Sequence, residues 1–114
     1  MANRSKDPVK AATRVYNDYR ANCRRRNIFF ELTKEDIAEL TQKNCYYCDK
    51  KPSNLRKGYT YNGIDRIDHN KGYIKDNCLT SCAECNGIRS NKLTVEEMQA
   101  VAKALLKFRL SQAG

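Results

Sequence analysis

The chain has 114 residues, with 22 Lys and Arg against 13 Asp and Glu, a formal charge of +9. That length fits a single domain over residues 1–114 with one small core, and the basic excess favours a polyanionic partner, nucleic acid before an anionic membrane. No apolar run approaches the roughly 20 residues of a membrane-spanning helix, and MANRSKDPVK lacks the apolar centre of a signal peptide, so the expectation is no membrane partner and a cytoplasmic, intracellular location.

Asp7 before Pro8 has the form of a helix start, a carboxylate able to cap free amides followed by a proline in the first turn. Val9, Ala12, Tyr16, Tyr19 and Cys23 then recur at three- and four-residue steps and predict one buried helical face. Arg14, Arg20, Arg24, Arg25 and Arg26 lie on the other faces and at the exit, a cluster suited to phosphates or simply to solvent. Ile28 to Leu32 is read as a short extended segment with apolar residues on both sides. Thr33 with Asp36 resembles a capping pair opening a helix that buries Ile37 and Leu40 and ends near Asn44.

Residues 50–61, KKPSNLRKGYTY, carry the Pro, Ser, Asn and Gly of a surface loop, and no regular structure is expected there. Next, NGIDRI reads as a strand, HNKG as a turn, CLTSC as a returning strand, and AECNGIRSNK as the start of a helix. Thr94 and Glu97 form a capping box for a last helix whose stripe of Met98, Val101, Leu105 and Phe108 reads as core. The helices at the two ends are expected to pack together. The plan is a basic helical part over 1–44, a central unit over 45–92 and a closing helix over 93–114.

Six cysteines in so short a chain admit a disulfide framework, but four stand in CxxC pairs and no secretory signal is evident, which favours metal. Cys45 with Cys48, and Cys82 with Cys85, can each present two thiolates from a tight turn, together the tetrahedral four-thiolate set of structural Zn²⁺. The 33 residues between Cys48 and Cys82 exceed the usual ribbon gap of roughly 15 to 20, so a further unit is inserted between the knuckles. Cys23 and Cys78 are read as reduced, buried thiols. Four bound thiolates and one Zn²⁺ lower the formal charge by only two, and the nucleic-acid argument survives.

The inserted strand, strand and helix, with CYYC, IDRID, KGY, the pair Asp76 and Asn77, and CAECN, resembles the HNH endonuclease family, whose active unit is a ββα-metal motif often flanked by two CxxC pairs. The arginine-rich helix, IFFELTKED and LTVEEM also resemble parts of small phage and bacterial members. The resemblance implies an α+β fold, a zinc-stabilised ββα-metal (His-Me finger) core packed with N- and C-terminal helices, and a bacterial or phage-infected setting. By the family pattern Asp65 and Asn86 would hold one catalytic divalent ion, Mg²⁺ or Mn²⁺, and Asn77 would tie the loop and orient the base. The implied reaction is hydrolysis of phosphodiester bonds in DNA, with RNA a second candidate.

One departure matters. Where most of the family has a histidine after the metal-binding acid, this chain has Arg66, whose guanidinium holds its proton far above neutral pH. Arg66 could clamp the phosphate while solvent takes the proton; His69, the one histidine, could reach back as base from the turn; or the domain could bind without cutting. A shifted register pairing Asp68 with His69 would restore the family dyad but breaks the IDRID alignment. His69 as a plain surface turn residue is the bland alternative. The competing functions are a noncatalytic zinc module gripping nucleic acid through Arg20, Arg24, Arg25, Arg26, Lys57 and Arg66, and a zinc-stabilised protein-interaction adaptor. No feature specifies an oligomer or a target sequence.

Overall fold

A computed structural model describes residues 7–113. Asp7 caps the first helix as expected, its Oδ1 accepting the Val9 and Lys10 amides at 3.0 and 3.2 Å. The single helix expected from the periodicity is two: α1 (Pro8–Ala11) ends at Ala12, and α2 (Thr13–Arg26) follows. Ala12 and Val15 are buried at that junction, so the break serves packing. Asn27 closes α2 in the left-handed region, its φ 56°, and returns an amide to Arg24. Asn tolerates that conformation better than most residues.

Residues 28–32 form no strand. Phe30 makes an isolated parallel bridge to Tyr73 instead, and Leu32 is buried while Phe29 is 63% exposed. Thr33 and Asp36 do form a reciprocal capping box, opening α3 (Lys34–Thr41), which stops three residues short of Asn44. Ile37, Ala38, Leu40 and Thr41 are buried on it.

The expected loop over residues 50–61 contains a β-hairpin, β1 (Asn54–Arg56) against β2 (Tyr59–Tyr61). Its two turn residues, Lys57 and Gly58, both have positive φ, 50° and 85°, the type I′ pattern that matches the twist of paired strands. Strands of three residues are too short to show a period; tertiary contacts supply what local sequence does not. Arg56 Nε lies 2.8 Å from Asp18 Oδ2 on α2, and the Tyr59 hydroxyl lies 2.7 Å from Thr41 Oγ1 on α3.

The expected strand, turn and strand are present. β3 (Gly63–Arg66) pairs antiparallel with β4 (Cys78–Ser81), Asp65 opposite Leu79 and Arg66 opposite Cys78. A 3₁₀ turn at Lys75–Asn77 precedes β4, and α4 (Ala83–Arg89) follows it directly. The last helix, α5 (Val95–Ala113), starts at the Thr94 and Glu97 box, with both reciprocal bonds made.

The apolar interior forms two clusters. One joins Ala12, Val15, Leu32, Ile37, Leu40, Ile64 and Cys78; the other joins the four knuckle cysteines, Tyr47, Met98 and Ala102. The terminal helices thus serve different clusters, against the expectation that they pack on each other. Of the expected α5 stripe only Met98 is buried; Val101 is 36% and Phe108 61% exposed. Both remaining cysteines, Cys23 and Cys78, are buried and free, and burial pushes the Cys78 thiol up to about 12. Among the described residues no helix is long and apolar enough to cross a membrane.

Candidate active site and metal centre

Cys45, Cys48, Cys82 and Cys85 place their sulfurs within 4.8 Å of one another. Cys48 Sγ is 3.6 Å from Cys82 Sγ, close to the sulfur spacing of a tetrahedron built on Zn–S bonds of about 2.3 Å. The turns are held independently of any ion. The Cys45 amide donates to Lys50 O at 2.9 Å, Asp49 turns at φ 63° to reach Cys45 O, and the Tyr46 amide donates to Thr80 O on β4 at 2.8 Å. The last bond ties the first knuckle to the strand that leads into the second. Burial raises the thiols of Cys48, to about 11, and of Cys85, so loading a cation there releases protons.

β3 carries Asp65 into the interior, 3% exposed, at the floor of a cleft of about 270 Å³ lined by Asp65, Arg66, His69 and Asn86 together with Arg26 and Tyr73. The two carboxylate oxygens of Asp65 have different surroundings. Oδ2 accepts the Tyr47 hydroxyl at 3.0 Å and Arg89 Nη1 at 2.7 Å, while Oδ1 faces His69 Nε2 at 3.7 Å. Asn86, one turn into α4, is exposed at the cleft wall.

His69 enters the cleft because the turn after β3 is fastened from two sides. Arg66 Nη1 donates to His69 O and Lys71 O at 3.1 and 3.0 Å, and its guanidinium lies 5.3 Å from the Tyr73 ring centroid. Asn77, buried behind the turn, accepts the Asp68 amide at 2.9 Å and donates to Asp68 O and Gly72 O at 3.0 Å. Asp68 accepts the Asn70 amide within the turn and does not line the cleft. Burial, and then the nearby Arg89 cation, hold the His69 imidazole below its ordinary pKa of 6.5.

Two residues of the site escaped the sequence reading. Tyr47 lies inside the first knuckle, where the cysteine spacing draws all attention. Arg89 is 2% exposed and binds Asp65, Arg66 O at 2.6 Å, Ile67 O at 2.8 Å and Leu93 O at 2.9 Å. Its only sequence signal is its place one helical turn after Asn86, on the same face. Of the arginines named for nucleic acid, Arg26 and Arg66 reach the cleft. Arg25 lines a separate recess with Asp18 and Tyr61, Arg20 and Arg24 line another with Phe29, and Lys57 stands exposed at the hairpin tip.

No protein-family model matches the chain. Over 81 residues, 71% of its length, the chain is 46% identical to an uncharacterised protein of Acanthamoeba polyphaga mimivirus, and the match spans 14% of that much longer protein. Its structure is similar to that of PacI, a rare-cutting HNH restriction endonuclease described for its mechanism of DNA perturbation, with a TM-score of 0.70 and 23% identity over 99% of this chain and 87% of that one. A likeness at that identity is one of architecture: the chain has the α+β fold of an HNH endonuclease, with four cysteines positioned to hold a metal such as zinc.

Proposed function

We propose that the protein is a metal-dependent endonuclease that hydrolyses phosphodiester bonds in DNA. The observation that carries this reading is the convergence of Asp65, His69, Asn86 and Arg26 in one cleft of an HNH-type fold. The donors fit a hard divalent cation. Asp65 Oδ1 is left outside the hydrogen bonds that occupy Oδ2, and the Asn86 side chain offers a second oxygen in the same cleft, which suits Mg²⁺ or Mn²⁺ better than a softer ion. Bound there by Asp65 and Asn86, such an ion supplies charge stabilisation to the phosphoryl group and the departing 3′ oxygen.

The remaining work falls to the chain. His69 takes the proton from the attacking water; with its pKa held below 6.5 it is neutral at pH 7 and able to accept. Arg66 is no base; its Nη1 is committed to the carbonyls of His69 and Lys71, so part of its contribution is to fix the turn that presents His69. Asn77 fixes the same turn from behind. Arg26, at the cleft rim, contacts a non-bridging phosphate oxygen and balances charge that grows as water attacks.

Supercoiled plasmid incubated with the protein in Mg²⁺, in Mn²⁺, or without added ion, beside Asp65→Ala and His69→Ala, tests this. Metal-dependent nicking in the wild type, abolished by Asp65→Ala and reduced about 10²- to 10⁴-fold by His69→Ala, is the expected result. Absence of nicking with either ion, alongside salt-sensitive DNA binding, would instead leave a noncatalytic nucleic-acid-binding module.

A further inference from the structure

The cleft does not end at Asn86. That residue also lines a recess of about 410 Å³ with Asn54 and Tyr61, and Tyr61 in turn lines a third recess, of about 490 Å³, with Asn22 and Arg25. Adjacent recesses share a wall residue, Asn86 and then Tyr61, and on that adjacency we read the three as one trough from the cleft past α4 and the base of the β1–β2 hairpin to α2. Its charge is suited to one kind of occupant. Beyond Asp65 the acid in its wall is Asp18, and Arg56 binds that carboxylate through both Nε and Nη2, at 2.8 and 3.2 Å, so it offers little repulsion to a phosphate. Arg25 is tethered in place by donating to the Asn22 side-chain oxygen, and Arg26 stands at the cleft end. Arg20 and Arg24 line a recess on another side of α2.

We propose that this trough carries one unpaired DNA strand leading away from the scissile phosphate, so that the protein selects DNA with a single-stranded tail or gap beside the cut over blunt duplex. The proposal rests on the nuclease reading for what occupies the cleft. A duplex is read by elements that protrude into its grooves, whereas a recess with cationic and amide walls and an aromatic ring is the form that tracks a single strand. Tyr61 supplies the ring. It lies nearly parallel to Tyr59, 17° between planes and 5.9 Å between centroids, which limits its rotation and presets a platform for a base. Asn22 and Asn54 are placed to bond phosphate oxygens or base edges.

The test is fluorescence anisotropy at one salt concentration without added divalent ion, comparing a labelled blunt duplex, the same duplex with a single-stranded tail, and the free strand. The tailed duplex should bind about tenfold or more tightly than the blunt one, since each stacked base is worth roughly that factor. Arg25→Glu and Tyr61→Ala should each bring that ratio below about threefold, whereas Arg20→Ala with Arg24→Ala should leave the ratio as it is. Equal affinity for tailed and blunt duplex overturns the proposal, as does an unchanged ratio in Arg25→Glu. Should Tyr61→Ala lose its melting transition, the exposed Arg25 decides alone. Because binding is read without cleavage, the two readings fail separately: tail preference with no metal-dependent cutting of either the plasmid or the tailed duplex removes the nuclease reading, and cutting without tail preference removes the trough.

Discussion

One carboxylate at Asp65 divides its oxygens between the scaffold and the cleft, and Arg89 makes that division possible. The Arg89 guanidinium is almost wholly buried and meets Asp65 and the carbonyls of Arg66, Ile67 and Leu93. Removing it leaves the buried Asp65 carboxylate with the Tyr47 hydroxyl but without its guanidinium partner, and takes a donor from three carbonyls. We therefore expect Arg89→Met to destabilise the fold by about 3–5 kcal/mol, read in urea unfolding, with Arg89→Met in an Asp65→Asn background recovering part of the loss. An Arg89→Met curve that overlays the wild type would refute the hub role. His69 carries a second prediction. On the proposed role of His69 as base, a pKa below 6.5 costs activity only under more acidic conditions, so the acid limb of kcat/KM should fall below pH 6.5. The same shift has a stability sign: between the lowered value and 6.5 the unfolded chain binds more protons, so stability contributed by this group rises with pH across that window. A limb above pH 7 would assign the titration to another group.

Elements in this chain are short, and their joints are where single substitutions tell most. Gly72 passes so close to the 28–32 segment that a Cβ there would lie 2.2 Å from Phe29 O and 2.7 Å from Phe29 Cβ. The contact belongs to a pair of backbone bonds, Tyr73 N to Phe29 O and Glu31 N to Tyr73 O, both 2.9 Å. Gly72→Ala must push them apart, and because Gly72 O also accepts from Asn77, the shift is passed to the His69 turn. We expect a cost of about 1–3 kcal/mol and reduced cleavage from the one change; a thermal melt and cleavage rate equal to the wild type would show that the segment yields freely. By contrast, Thr94→Ala removes only the cap of α5, and its expected cost is about 1 kcal/mol with cleavage unchanged. The caps were legible because both partners are three residues apart in sequence. The β1–β2 hairpin was not, since its partners on α2 and α3 are Asp18 and Thr41, far away along the chain.

The molecule is held at two centres, and the four-cysteine cluster is one of them. Met98 and Ala102, the buried positions of α5, sit in the cluster made by the four knuckle cysteines, so the long helix is anchored chiefly to the four-cysteine site and, through its own Arg109, to Glu84 on α4 at 2.8 and 3.1 Å. Structural zinc contributes roughly 10–16 kcal/mol to small domains that depend on it. We expect one Zn²⁺ per chain by elemental analysis, and loss of cooperative melting with 1,10-phenanthroline. Because the Cys48 and Cys85 thiols are raised by burial, zinc affinity should weaken as pH falls. Retention of the full melting transition in the metal-stripped protein would place the stability in the other cluster alone.

The order of parts was readable in the residues: two CxxC pairs, the caps at Asp7, Thr33 and Thr94, the strand containing Asp65 and its return through Cys78. Each of those signals is local, a donor and acceptor within one turn or a run of a few residues, so it survives without knowledge of the rest. The joining of Asp65 to Tyr47 and Arg89, the turn that brings His69 beside Asp65, the separation of Arg25 and Arg26 from Arg20 and Arg24, and the two-centred interior depend on contacts between residues distant along the chain. A buried arginine or tyrosine looks in sequence like any surface one. Its hydrogen-bond partners, and with them its role, exist only once packing has excluded water.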